Sequence, residues 1–228
     1  MKKNIILLMT AVFGVFVLAG CSEDDLNKTS AVLDSPTVEN DFDRWLAKNY
    51  MEPYNIDFKY RFKDVLGDMD YNLTPADYGQ AIKLAKLTLH LTLQVYDEVT
   101  GSRQFISENF PKIVHVIGSP AYNENNNIVL GVAEGGKMMT LYQVNIIDYL
   151  LNTKDIDQLN ELFFKTMHHE FGHILHQTRP YSTDFNAVTP SSYVGDACFD
   201  TYRTDAAARQ AGVITRYSSK APDEDFVE

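Results

Sequence analysis

Two histidines four residues apart, with a glutamate beside the first, His169-Glu170-Phe171-Gly172-His173, restrict this chain more than any other stretch of it. Side chains at i and i+4 stand one above the other on a helix, so both imidazoles can meet one ion only if residues 169–173 are helical. The approach to the motif agrees. Leu159, Leu162, Phe163 and Met167 recur at helical spacing, and Thr153 to Gln158 supplies capping residues and early acids. Glu170 is rotated by about 100° from His169, which sets its carboxylate beside the ion and in reach of a water bound there. Two neutral imidazoles on a tetrahedral ion, with a carboxylate as proton acceptor, are the parts of a metal-dependent hydrolase. With six His and 11 Glu in 228 residues, the pattern arises by chance on the order of once in a hundred such chains.

A tetrahedral ion needs a further ligand. His168 points about 100° away from His169 and is expected beside the site or at the surface. His176 is on the right face, but one straight helix cannot bring positions 169, 173 and 176 to the same small ion. His90 and His115 are isolated from other ligand types and are expected to bind no metal. Asp196, Asp200 and Asp205, in a segment from Asp196 to Gln210 that reads as a helix ended near Gly212, are candidate ligands, but no local pattern recommends them and a solvated face accounts for them. The last residues say more. Pro222 and Asp223 favour a helix start, so Glu224 and Glu228 share one face four residues apart. One carboxylate is then placed to ligate and the other to hydrogen-bond a ligand histidine. Because Glu228 is the last residue, this helix is expected to be short, and the chain reads as a truncated product.

At the other end, Lys2 and Lys3 precede an apolar run from Ile5 to Val17 and then Leu18-Ala19-Gly20-Cys21. That is the layout of a signal peptide. The run falls short of the roughly 20 apolar residues that cross a bilayer. Residues 1–20 are read as a cleaved lipoprotein signal, Cys21 as the acylated residue, and residues 21–40, polar and poor in aromatics, as a flexible tether. Cleavage removes Lys2 and Lys3, so a formal charge of −11 becomes −11 − 2 = −13. Nucleic acid and anionic lipid would repel such a chain, which leaves acyl chains to hold it to a membrane. With Cys21 lipidated, Cys198 is single; it reads as buried and inert, and no disulfide framework is available.

Residues 41–228 then form one domain with a sizeable core. Asn40 is expected to cap a helix that buries Phe42, Trp45 and Leu46. Tyr54, Ile56, Phe58, Tyr60 and Phe62 alternate as in a strand with one buried face. Thr74-Pro75 opens a helix running to about Val99, with Leu84, Leu87, Leu91 and Val95 inward. Three β-prone segments follow, Lys112 to Ile117, Ile128 to Ala133 and Met138 to Val144, the last two joined by a turn at Glu134 to Lys137. Strands followed by helices give an α+β class, with a small mixed sheet packed on the long helix and the motif helix. Peptides could pair with an edge strand, taken as Met138 to Val144.

His169-Glu170-Phe171-Gly172-His173 and a distal Tyr217, six residues, then Glu224-Asp225-Phe226-Val227-Glu228 resemble the gluzincins of the anthrax lethal-factor type. The positions that carry the glycine and last histidine of the metzincin pattern are His176 and Arg179 here, so that pattern is absent. With the lipobox, the whole chain resembles the Bacteroidetes lipoproteins described as zinc-binding metallopeptidases, or substrate import-associated zinc metallohydrolases. Ser22-Glu23-Asp24-Asp25 is similar to the acidic export signal of such lipoproteins, which implies the outer face of the outer membrane. The resemblance implies a zincin-like fold, with Zn2+ held by His169, His173 and Glu224. It also implies Glu170 as general base, Tyr217 as oxyanion donor and Glu228 as a carboxylate behind a ligand. The implied substrate is a peptide or glycopeptide. A non-catalytic surface lipoprotein accessory to a nutrient-uptake complex, and a zinc amidase acting on glycopeptide or cell-wall material, are the competing classes.

Overall fold

The computed structural model describes residues 39–67, 70–122 and 128–228. Residues 1–20, read as a signal peptide, Cys21, read as the acylated residue, and almost all of the segment read as a tether lie outside these. The fold is α+β, as its patterning predicts, and Glu39–Glu228 forms a compact unit. Helix α1 begins as Asp41–Leu46, widens through a π turn at Ala47–Met51 and ends as Glu52–Tyr54. The Asn40 side chain accepts from the Asp43 amide at 2.9 Å, and Asp43 returns the bond to the Asn40 amide at 2.9 Å. This reciprocal cap fixes the helix start.

Strand β1 is only Asp57–Lys59. Tyr54, Ile56, Phe58 and Tyr60 are all buried, as their alternation requires. The ladder is shorter than that alternation because Tyr54 closes α1 and β1 has a neighbour on one side alone. Helix α2 runs Tyr78–Thr88, through a π turn at Leu89–Leu93, to Gln94–Thr100, followed by α3, Gln104–Asn109. Its cap is Asp77, whose side chain accepts from Gln80, and not Thr74. Pro75 instead makes an isolated bridge with Ile117. The inward face carries Ala81, Ala85, Thr88 and Thr92 with Leu84, Leu89 and Leu93, whereas Leu91 is 46% and Val95 41% exposed. Small residues let backbones approach closely: Thr88 Oγ1 lies 3.8 Å from Met167 Sδ of the motif helix, and Tyr50 donates to the Ala85 carbonyl at 2.5 Å.

Next come β2 (Ile113–Val116), β3 (Ala121–Tyr122), β4 (Ile128–Val129), β5 (Gly131–Glu134) and β6 (Met138–Leu141). The main sheet has the order β1-β2-β6-β5; β1–β2 and β2–β6 are parallel, β5–β6 antiparallel, and β3–β4 form a separate pair. This corrects the sequence expectation for the edge. The strand beginning at Met138 is interior, flanked on both sides, and the edges are β1 and β5. Val114, Val116, Met139 and Leu141 point into the helical core, while Ile117 and Tyr142 join a smaller cluster on the other face.

After α4 (Ile147–Thr153), helix α5 runs Ile156–Leu159, through a π turn at Asn160–Lys165, to Thr166–Thr178, capped by Asp155. It packs on β5 with little to spare: a Cβ on Gly131 would meet Thr166 Cγ2 at 2.7 Å. Residues 196–210 are not one helix. Cys198–Thr201 is α6, Thr204 caps Asp205–Gln210 as α7, and the chain turns between them. Pro222–Val227 is α8. Among the described residues no helix is long and apolar enough to cross a membrane.

Candidate metal centre

The rotation of α5 about its axis is set by its apolar side. Phe171 is fully buried, with its ring 5.2, 5.9 and 5.0 Å from those of Tyr96, Phe105 and Phe110, and Met167 and Ile174 join the same core. The opposite side turns His169 and His173 toward α8. That helix is anchored by Asp225, which accepts from the Ile214 amide at 3.0 Å and the Tyr193 hydroxyl at 3.1 Å. Gly172 lets the two helices meet, because a Cβ there would lie 3.0 Å from Val227 Cβ and Cγ1. Gly172→Val is therefore expected to lower stability by about 1–3 kcal/mol, as overpacked sites do. It should weaken zinc binding as well, since Glu224 moves with Val227; thermal melts and zinc titrations check this. A valine variant unchanged in both would show that the close approach has no bearing on the site.

Three atoms converge between α5 and α8. His169 Nε2 lies 3.1 Å and His173 Nε2 3.2 Å from Glu224 Oε2, and the two nitrogens are 3.2 Å apart. Ligands at about 2.0–2.1 Å around a tetrahedral zinc ion are separated by roughly 3.3–3.4 Å, so this triangle has nearly the size of one face of such a site. It is the only group among the described residues arranged to hold a metal ion. The reverse side of His169 fits the same ion. A ring that ligates through Nε2 carries its proton on Nδ1; that atom is buried without a hydrogen-bond partner and faces Glu228 Oε1 at 3.6 Å.

The charges around the triangle follow from burial and pairing. Burial alone would push the Glu224 carboxyl up, but the bonds from His169 and His173 and the nearby charge of Lys220 hold it well below the ordinary range. His173 is held above the usual histidine value by its bond to Glu224, against burial, so a proton competes for the ligand position. Burial raises the Glu170 carboxyl, opposed by the charges of the two histidines, and the backbone amide of Ala133 in β5 reaches it. Glu170 thus sits where the active helix meets the sheet edge. The Tyr217 hydroxyl donates to Glu224 Oε1 at 3.2 Å, and its ring lies 5.7 Å from that of His169.

Every residue expected at the site from the sequence is brought there, apart from Cys21, which lies outside the described residues. His168 is wedged between helices, its Nδ1 2.9 Å from the Tyr96 hydroxyl. His176 stacks on Tyr181 at 4.4 Å, at the rim. His90 is exposed beside Gln94 and His115 is fully buried in β2, both apart from the triangle. Asp200 is 86% exposed, and Asp205 holds Arg216 at 3.3 Å. Two lysines escaped the sequence reading. Lys165 Nζ is 3.2 Å from Glu228 Oε2, and Lys220 Nζ is 3.4 Å from both Glu224 Oε1 and the Tyr217 oxygen. Their spacing was the available signal: Lys165 precedes His169 by one helical turn, and Lys220 precedes Glu224 by four residues.

A family model described as "Putative zinc-binding metallo-peptidase" matches residues 35–228. Among solved structures, the crystal structure of "a putative zinc-binding metallo-peptidase from Bacteroides caccae ATCC 43185" shares 39% identity with this chain. The TM-score is 0.65, over 81% of this chain and 67% of that one. No match is found among curated proteins.

Proposed function

The chain belongs to the zinc-binding metallo-peptidase family, and from that premise we propose that it hydrolyses peptide bonds at the His169–His173–Glu224 centre, in the manner of a gluzincin. The observation that carries this is the convergence of the three ligand atoms within 3.1–3.2 Å, beside a half-buried glutamate. Zinc bound there supplies a Lewis acid, which lowers the pKa of water and polarises a carbonyl.

The chain's own groups do the rest. Glu170 takes a proton as the water oxygen attacks the scissile carbon, and gives it to the amine nitrogen as the C–N bond breaks. Its raised carboxyl pKa suits both halves of that cycle. Tyr217 donates its hydroxyl proton toward the carbonyl oxygen as negative charge builds there. Glu228 Oε1, 3.6 Å from His169 Nδ1, is the carboxylate toward which that ring turns its proton when Nε2 ligates. Peptide substrate lies along β5, the sheet edge that already meets Glu170, and pairs with its backbone. We place this activity on a lipoprotein anchored through Cys21 at the outer membrane, on the sequence pattern alone.

The test is a chelator titration with an unstructured protein as substrate. Cleavage is expected to stop as zinc is removed and to return when about one equivalent is restored. Cleavage that survives chelation would remove zinc from the reaction; zinc binding with no cleavage of peptides but release from glycopeptides would move the chain to the amidase class.

A further inference from the structure

Lys220 lies in the turn ahead of α8, and its ammonium is 3.4 Å from Glu224 Oε1 and 3.4 Å from the Tyr217 oxygen. Tyr217 donates its one proton to that same Oε1 at 3.2 Å, while Oε2 is the carboxylate oxygen that meets both histidines. The two oxygens of Glu224 are therefore divided, with Oε2 given to the metal position and Oε1 to Lys220 and Tyr217. We propose that Lys220 is a positioning residue, which keeps Glu224 a single-oxygen ligand and frees the Tyr217 hydroxyl for substrate.

An ammonium has three donors and no acceptor, whereas a phenol has one proton. When Tyr217 turns that proton to a substrate carbonyl, Oε1 loses one of its two donors. With Lys220 in place the other remains, so the carboxylate is not drawn round to offer both oxygens to the ion. Without Lys220 the Tyr217 proton is the donor left to Oε1, and the hydroxyl is tied to the ligand it should leave. An ordinary exposed pair four residues apart contributes little. Here the Glu224 side chain is only 12% exposed, and the orientation of its carboxylate is what the metal position depends on.

The role rests on the zinc-peptidase reading, and two readouts keep them apart. Zinc affinity of Lys220→Met, Lys220→Arg and the unaltered chain is measured by chelator competition, with melting of each metal-free chain as the check on folding. Lys220→Met is expected to lose about 10–100-fold in zinc affinity, the usual cost of losing a partner behind a ligand, and Lys220→Arg to keep most of it. Simple repulsion between the ammonium and a divalent ion gives the opposite sign. A methionine variant that binds zinc equally or more tightly overturns the positioning role. The second readout is kcat: Lys220→Met should add little to the loss caused by Tyr217→Phe, and independent, multiplying losses overturn the link to Tyr217. An unaltered chain with no measurable zinc affinity overturns both readings together, whereas one that binds and cleaves beside an unchanged Lys220→Met overturns this one alone.

Discussion

Glu170→Gln is expected to lower kcat/KM by about 10²–10⁴-fold while the protein still binds one equivalent of zinc. The amide keeps the size of the carboxyl, and its oxygen can still accept from the Ala133 amide that reaches Glu170 in β5. It cannot take a proton from water and return one to the amine. The three atoms of the triangle, His169 Nε2, His173 Nε2 and Glu224 Oε2, lie elsewhere and keep their places. That range corresponds to roughly 3–5 kcal/mol of transition-state stabilisation, all of it assigned to proton transfer. Zinc content and kcat/KM measured on the same preparation check it. A variant that cleaves within a few-fold of the unaltered chain makes some other group the base. Loss of zinc together with activity makes Glu170 a part of the metal site.

The motif helix and the tail carboxylates were legible because their chemistry is local. Four-residue spacing puts His169 above His173 whatever surrounds them, and Pro222 opens the helix that presents Glu224 and Glu228. What was not legible depends on the other side of an interface. In α2 the apolar stripe points Leu91 and Val95 inward, but close packing against α1 and α5 favours Ala85, Thr88 and Thr92 beside Leu84, Leu89 and Leu93, and Leu91 and Val95 turn outward. The edge strand was misassigned for the same kind of reason. Alternation marks a strand and says nothing about how many neighbours it has, so whether β5 or β6 ends the sheet is settled by pairing alone. Lys165 and Lys220 look like surface cations in the sequence. They acquire a role only when α8 folds back against α5 and brings Glu228 and Glu224 to them.

Glu224→Gln should remove more zinc affinity than the 10–100-fold that a partner behind a ligand costs, because it takes a charged ligand from the ion itself. Two imidazoles would remain, and the amide oxygen is a weaker and uncharged donor. The fold is expected to survive, since α8 stays anchored by Asp225 to the Ile214 amide and the Tyr193 hydroxyl and by Val227 against Gly172. Asp196→Asn, Asp200→Asn and Asp205→Asn are the matched comparisons, because the sequence offered these acids as ligands too. Each should leave zinc affinity unchanged: Asp200 is 86% exposed beside Arg203, and Asp205 accepts from the Arg216 amide and guanidinium. The measurement is a competition titration on all four variants and the unaltered chain. If one of the aspartates costs as much zinc as Glu224, the approach of α8 to α5 does not define the site. If Glu224 alone does, then the six residues of α8, packed through Val227 onto Gly172, are what turn a two-histidine helix into a metal centre.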